Sequence, residues 1–360
     1  MRGSNGLHKL AVDSTRPPSA RQPPIDRADL GFGIRIGVDY WPSKVGFGMA
    51  GKSFDFRRFD AELSAELERV GDLYGNYTFP ERNLFHYCPL DAGCKIIDNE
   101  RLWFTERAHL TDTSEIAFGL DIAMRIYSKR KGSNDLVRAL TTRMFKKSLP
   151  EILSQNDIFV CCFSMVSDSL EQWRMYADDG RGVALEFDSD MTAFRPKEEC
   201  SIIDNSYRMQ YDVRKLIRHL RAIGEIPATI LANQPKEVAS HEYREALELI
   251  HALFGTSVII AANQYKHRAY AYEREWRLMA MAHSQKVQTM TLHKTRERGA
   301  EVVRYLEQRT YPGIRQALRS VRIGPAADET RIGEMKKFLA QRELGNVPII
   351  KSTIPYRSIR

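Results

Sequence analysis

Residues 158–164 read Ile-Phe-Val-Cys-Cys-Phe-Ser, an apolar run of strand length with polar residues on either side. A half-buried strand alternates apolar and polar side chains, whereas a run without alternation has no face suited to water and must be covered on both sides. The chain therefore needs a sheet with other elements packed on each face. Strand-like segments at Leu84–Cys88, Arg101–Thr105, Val183–Asp188, Glu275–Ala282, Val321–Ile323 and Val347–Ser352 are interleaved with helical stretches over 90–97, 115–130, 136–154, 169–177, 213–223, 241–263, 302–320 and 329–342. The two kinds mix without the regular alternation of a doubly wound fold. The expected class is α+β, a mixed sheet flanked by helices.

Two Pro-Pro pairs within Ser14–Asp29 and no apolar periodicity predict an extended leader over 1–53. Phe56, Phe59, Leu63, Leu67 and Val70 recur every three or four residues, which predicts a docking helix within 54–82 ahead of a single α+β domain over 83–360. At 360 residues and 43% hydrophobic, the chain has enough apolar material for a large core. The uncharged stretch Ala252–Gln264 is well short of the roughly 20 residues a membrane helix needs. Met1–Asp13 holds no apolar run followed by a small-residue cleavage site, so cytoplasmic residence is expected.

Five cysteines, Cys88, Cys94, Cys161, Cys162 and Cys200, contain no C-x-x-C pair, which argues against disulfides and structural zinc. The net charge of +8 is concentrated in Arg125–Lys147 and Lys266–Arg322. That bias suits an anionic partner, and it equally suits solvated helix faces.

Four groups of residues carry chemistry. His86 and Tyr87 on one strand, with Trp103, Phe104 and Thr105 on the next, could hydrogen-bond a ribose hydroxyl and stack on a flat heterocycle, or form a buried aromatic cluster. In Tyr-Glu-Arg-Glu-Trp-Arg (272–277) a strand would project Glu273, Glu275 and Arg277 from one face, about 6 to 7 Å apart. Carboxylates so placed could stabilise positive charge at an anomeric carbon, or form a salt-bridged edge. Asp112 and Glu115 read as acids of a helix's first turn. Cys161 and Cys162 sit in an apolar strand, an environment that suppresses thiolate formation, so packing explains them better than nucleophilic catalysis. Trp173 and Tyr176, three apart on a helix, share a face that could wall a pocket or fill the core. There is no G-x-G-x-x-G after a strand, no P-loop and no H-E-x-x-H.

The ordered set LFHY (84–87), RLWFT (101–105), TDTSE (111–115), VCCFS (160–164), GRGVALEFD (180–188), YKHRAYAYEREWRL (265–278), RIGP (322–325) and STIPYR (352–357) resembles the bacterial domain of unknown function family 2971. The strand bearing His86, the aromatic-Thr strand and the strand bearing Glu275 further resemble the three-motif layout of NAD-dependent ADP-ribosyltransferases, including DarT-like enzymes that modify nucleic acid. That resemblance implies a split sheet and NAD as substrate. It implies His86 as ribose anchor, Phe104 and Thr105 in the nicotinamide pocket, Glu275 as catalytic carboxylate, and Glu273 as the acid that orients an acceptor. Tyr87, Tyr176 and Arg277 complete the expected ligand-binding set.

Three functions compete on these grounds. The first is an ADP-ribosyltransferase or NAD glycohydrolase, in a toxin or phage-defence setting, acting on a nucleic-acid or protein acceptor. The second is a non-catalytic module whose basic blocks, Lys129–Lys131 among them, bind nucleic acid or protein. The third is a metal-assisted hydrolase using Glu273 and Glu275 with a further acid such as Asp112 or Glu115.

Overall fold

The computed structural model describes residues 56–74, 82–110, 115–128, 142, 145–146, 149–189, 203–232, 240–284, 293–310 and 313–358. All of these fall in one unit, Ile34–Arg360. In chain order its helices and strands are α1 (Phe56–Leu73), β1 (Leu84–Cys88), α2 (Leu90–Asn99), β2 (Arg101–Glu106), α3 (Glu115–Ser128), α4 (Leu149–Gln155), β3 (Asn156–Ser164), α5 (Leu170–Tyr176), β4 (Val183–Phe187), β5 (Ile203–Arg208), α6 (Val213–Ala232), α7 (Ser240–Asn263), β6 (Glu275–His283), β7 (His293–Arg298), β8 (Glu301–Arg309), α8 (Ile314–Ala317), β9 (Leu318–Ile323), α9 (Glu329–Ala340) and β10 (Ile349–Lys351). The leader expected over 1–53, and most of the helix expected over 136–154, lie outside the described residues.

The apolar run becomes β3, and the sheet is organised around it. β6 pairs with β3 along its length, from Asn156 opposite His283 to Ser164 opposite Glu275, and so fills one side of the strand. β1 and β2 must share the other side. β1 meets it at Ser164, opposite Phe85, and β2 meets it at Val160 and Phe159, opposite Thr105 and Glu106. Between those contacts the sheet divides into two arms, β1-β4-β9-β10 and β2-β8-β7. All pairs are antiparallel except β10 with β9, so the sheet is mixed.

Both faces of β3 are covered, as an apolar strand requires. Phe159, Cys161 and Phe163 pack with Ile96 and Ile97 of α2, Leu102 and Phe104 of β2, Trp276 and Leu278 of β6, and Met335 and Leu339 of α9. Ile158 and Val160 face the other way, against Ile116 of α3, Tyr207 of β5, Ile259 and Ile260 of α7, and Met279 and Met281 of β6. α1 packs on α6 and α7 through Leu63, Leu67 and Val70, which meet Leu216, Leu220, Ile250 and Phe254. Each buried aliphatic side chain of this kind contributes about 1.5–3 kcal/mol, so α1 is an integral part of the helical layer.

Two sequence expectations fail here. The stretch over 302–320, expected to be helical, forms β8, α8 and β9. Its first part is half of a hairpin: β7 pairs with β8 across a turn in which Gly299 has φ +62°, a conformation that suits a residue without Cβ. Val302, Val303 and Tyr305 favour strand, and cross-strand pairing outweighs the helix preference of Leu306, Glu307 and Gln308. β5 and β7 were not expected at all, because Ile-Asp-Asn-Ser-Tyr-Arg and His-Lys-Thr-Arg-Glu-Arg lack a clear apolar alternation. Among the described residues no helix is long and apolar enough to cross a membrane.

The turn into β4 allows a direct packing test. A Cβ on Gly182 would lie 2.4 Å from the Cys88 carbonyl oxygen and 2.9 Å from that of Ala177, both backbone atoms. Gly182→Ala therefore forces β4 away from the end of β1. We expect a loss of about 1–3 kcal/mol, read as a lower denaturation midpoint in urea with an unchanged slope; a midpoint equal to wild type would show that this approach is loose.

Candidate functional site

A cleft of about 450 Å³ opens where β1 and β2 part. His86, Thr105, Cys162, Tyr176, Glu273, Glu275 and Arg277 line it, together with Lys266, Trp103 and Arg296. Division of the sheet removes the neighbour that would hydrogen-bond the middle of β3, and His86 substitutes for it. Its Nδ1 lies 2.9 Å from the Cys162 carbonyl oxygen, which can only accept, so Nδ1 carries the proton and Nε2 is left as an acceptor. Burial holds the His86 pKa below its ordinary value and the Arg296 charge adds to the effect, against the hydrogen bond to Cys162. The imidazole is neutral at pH 7.

The opposite wall is a buried ionic cluster. Glu275 and Arg277 continue the face of β6 that carries Met279 and Met281, at the end nearest the cleft, where apolar side chains give way to charged ones. The chain enters β6 from a 3-10 turn, Arg268–Glu273, followed by Arg274 at φ +43°, and that left-handed residue lets the strand begin at Glu275. The approach is pinned by the Ser164 hydroxyl, which donates to the Glu273 carbonyl at 2.8 Å, and by the Glu275 amide, which donates to the Tyr211 hydroxyl at 3.1 Å. Lys266 Nζ donates to Glu273 at 2.7 Å and to Glu275 at 3.3 Å; Arg277 reaches the other Glu275 oxygen at 2.6 Å, and the Tyr176 hydroxyl donates to Glu273 at 3.0 Å. All four charged groups are nearly enclosed: Lys266 is 5% exposed, Glu273 3%, Glu275 4% and Arg277 1%.

The two carboxyls differ in acidity. Burial alone would raise Glu275, but the Arg277 and Lys266 charges, with the Cys162 thiol, overcome it and hold the pKa to about 2. Glu273 is pushed above its ordinary value by burial, with the neighbouring Glu275 charge adding to this, in excess of what Lys266 and Tyr176 restore. One fixed anion thus sits beside one proton-accepting carboxyl, a division of labour suited to charge stabilisation and proton transfer.

The structure brings most of the expected residues to this cleft and corrects the rest. Phe104 is absent from its lining: strand alternation turns it into the core beside Leu102 and Leu306, while Trp103 and Thr105 face the cleft. Glu273 is on the 3-10 turn rather than on β6, so it meets Glu275 through Lys266 instead of through a shared strand face. β6 lies between β3 and β5, which excludes the salt-bridged edge strand. Tyr87 lines the cleft but is held by its hydroxyl to the Val166 carbonyl at 2.8 Å. Trp173 is fully buried and donates to Asp168, so it fills the core while Tyr176 reaches the cleft. Burial pushes the Cys161 thiol well above its ordinary pKa, in keeping with a packing role. Asp112, the Glu115 side chain and Lys129–Lys131 lie outside the described residues.

Sequence reasoning missed Lys266, Tyr211 and Arg296. Lys266 falls at the start of a basic stretch, and its sequence signal is nearness to two acids in the segment 265–278. Residues 172–278 match the family described as Protein of unknown function (DUF2971). The matched part runs from α5 into β6 and includes Tyr176, Lys266, Glu273, Glu275 and Arg277. No curated protein and no solved structure matches the chain.

Proposed function

We propose that the cleft takes NAD and that the chain transfers its ADP-ribosyl group to a nucleic-acid or protein acceptor, or to water. The observation that carries this reading is the pairing, on one cleft, of a neutral imidazole with a free acceptor nitrogen and a buried carboxylate kept ionised by two cations. In the reaction the bond between the ribose anomeric carbon and the nicotinamide nitrogen breaks, its electron pair leaves with nicotinamide, and positive charge spreads over the anomeric carbon and ring oxygen. Glu275 stabilises that charge, which develops only in the transition state. His86 Nε2 accepts a hydrogen bond from a ribose hydroxyl. Glu273 orients the incoming nucleophile and takes its proton, for which its raised pKa suits it.

The reading also draws on the division of the sheet at β3, which opens the cleft between the strand of His86 and that of Thr105. It is tested by melting the protein with and without NAD and by following nicotinamide release. NAD at millimolar concentration should raise the melting temperature, because a ligand bound only by the folded form stabilises it. His86→Ala should weaken that binding by about tenfold, the loss of one good hydrogen bond. Affinity should be flat between pH 7 and 8, since burial keeps His86 neutral there. A melting curve indifferent to NAD, with no nicotinamide formed, would overturn the proposal.

A further inference from the structure

The cleft has a second wall that the chemistry above leaves unused. By register, Trp103 and Thr105 of β2, Tyr305 of β8 and Arg296 of β7 share one face of the second arm. The Arg296 guanidinium carbon lies 5.2 Å from the Trp103 ring centre and 5.6 Å from that of Tyr305, and the two ring centres are 5.3 Å apart. Two aromatic faces thus fix the orientation of a planar cation, which lowers the entropy lost when it binds a ligand. Arg296 and Trp103 both line the cleft, and Arg296 is close enough to His86 to depress its basicity. The Trp103 indole N–H is buried with no acceptor among the described residues. A buried donor without an acceptor at the wall of a cleft marks a place where a ligand oxygen fits.

We infer that Arg296 and the Trp103 indole N–H form an anion subsite that takes the pyrophosphate of a nucleotide. A guanidinium presents parallel N–H donors that match phosphate oxygens bidentately, and the indole adds a donor. The assignment of pyrophosphate rests on the NAD reading, since a dinucleotide whose ribose meets His86 must place its phosphates further along the same cleft. Glu273 and Glu275 are balanced within their own cluster by Lys266 and Arg277.

Calorimetry on the full chain with inorganic pyrophosphate, ADP-ribose and nicotinamide riboside tests the subsite. Wild type should bind the first two, with affinity that falls as salt rises. Arg296→Ala should weaken both by at least about tenfold and leave nicotinamide riboside, which has no phosphate, unchanged. Trp103→Phe keeps an aromatic face, smaller than the indole, and removes the N–H, and should weaken both severalfold. If Arg296→Ala fails to fold, Arg296→Lys carries the test: it retains the charge but loses the planar fork, and should recover only part of the affinity. Equal binding of pyrophosphate and ADP-ribose by wild type and the Arg296 variants, or no binding by wild type, overturns the subsite. The two proposals fail separately. NAD cleavage with unchanged ADP-ribose affinity in Arg296→Ala removes the subsite and leaves ribosyl transfer standing. Pyrophosphate binding lost in Arg296→Ala, with NAD never cleaved, does the reverse.

Discussion

Glu275→Gln should lower nicotinamide release from NAD by about 10²–10³-fold, the range found when one preorganised electrostatic contact to a transition state is removed. The amide keeps the shape of the side chain and loses its charge, so the loss should fall on turnover more than on NAD affinity. His86→Ala should show the opposite pattern, with weaker binding and a smaller effect on turnover. Ion pairs from Lys266 and Arg277 hold Glu275 ionised down to a pKa of about 2, so no acid limb of the rate profile should belong to this residue between pH 5 and 8. The same shift bears on stability. A carboxyl whose folded pKa lies below its ordinary 4.5 adds stability that is complete above that value and is lost as pH falls from about 4.5 towards about 2. Glu273 contributes with the opposite sign, because its folded pKa is raised. Nicotinamide release by folded Glu275→Gln at the wild-type rate would remove Glu275 from the mechanism.

Lys266→Met should be the most destabilising single change at the site. It removes the cation that bridges Glu273 and Glu275 and leaves Arg277 on Glu275 alone, and breaking a buried ion pair from one side costs about 3–5 kcal/mol. Denaturant titration at pH 7 should show that loss. The deficit should narrow as pH is lowered and Glu273 takes up a proton, and Glu273→Gln added to Lys266→Met should restore part of the stability. A full loss that neither low pH nor the second substitution relieves would mean that the cost does not come from leaving Glu273 charged without its cation.

These experiments bear on a site that was only partly legible in the sequence. The segments around His86, Thr105 and the apolar run were readable because short aromatic and β-branched stretches bounded by proline or polar residues admit few alternatives. The divergence of β1 and β2 was beyond reading from the residues themselves, since it depends on two strands competing for one side of β3. Phe104 and Thr105 are adjacent, and only the register with β3 and β8 decides which of them faces the ligand. Lys266 illustrates a different limit. Lysine is rarely enclosed, and its burial here needs two acids brought back by a 3-10 turn and a left-handed arginine, none of which has a periodic signature. β7 was hidden for the converse reason: its residues are charged, and pairing with β8 holds it in place.

A branching sheet also has more margins than a simple one. An open sheet ends in two strands with unpaired backbone groups, whereas this one ends in β10, β7 and β5 among the described residues. Each is an invitation to intermolecular strand pairing. β10 answers with brevity, at only three residues, and β7 with the dense charge of His-Lys-Thr-Arg-Glu-Arg. β5 carries Asp204 and Arg208. The arrangement that opens a hollow between two arms therefore also obliges the chain to guard a third flank against self-association.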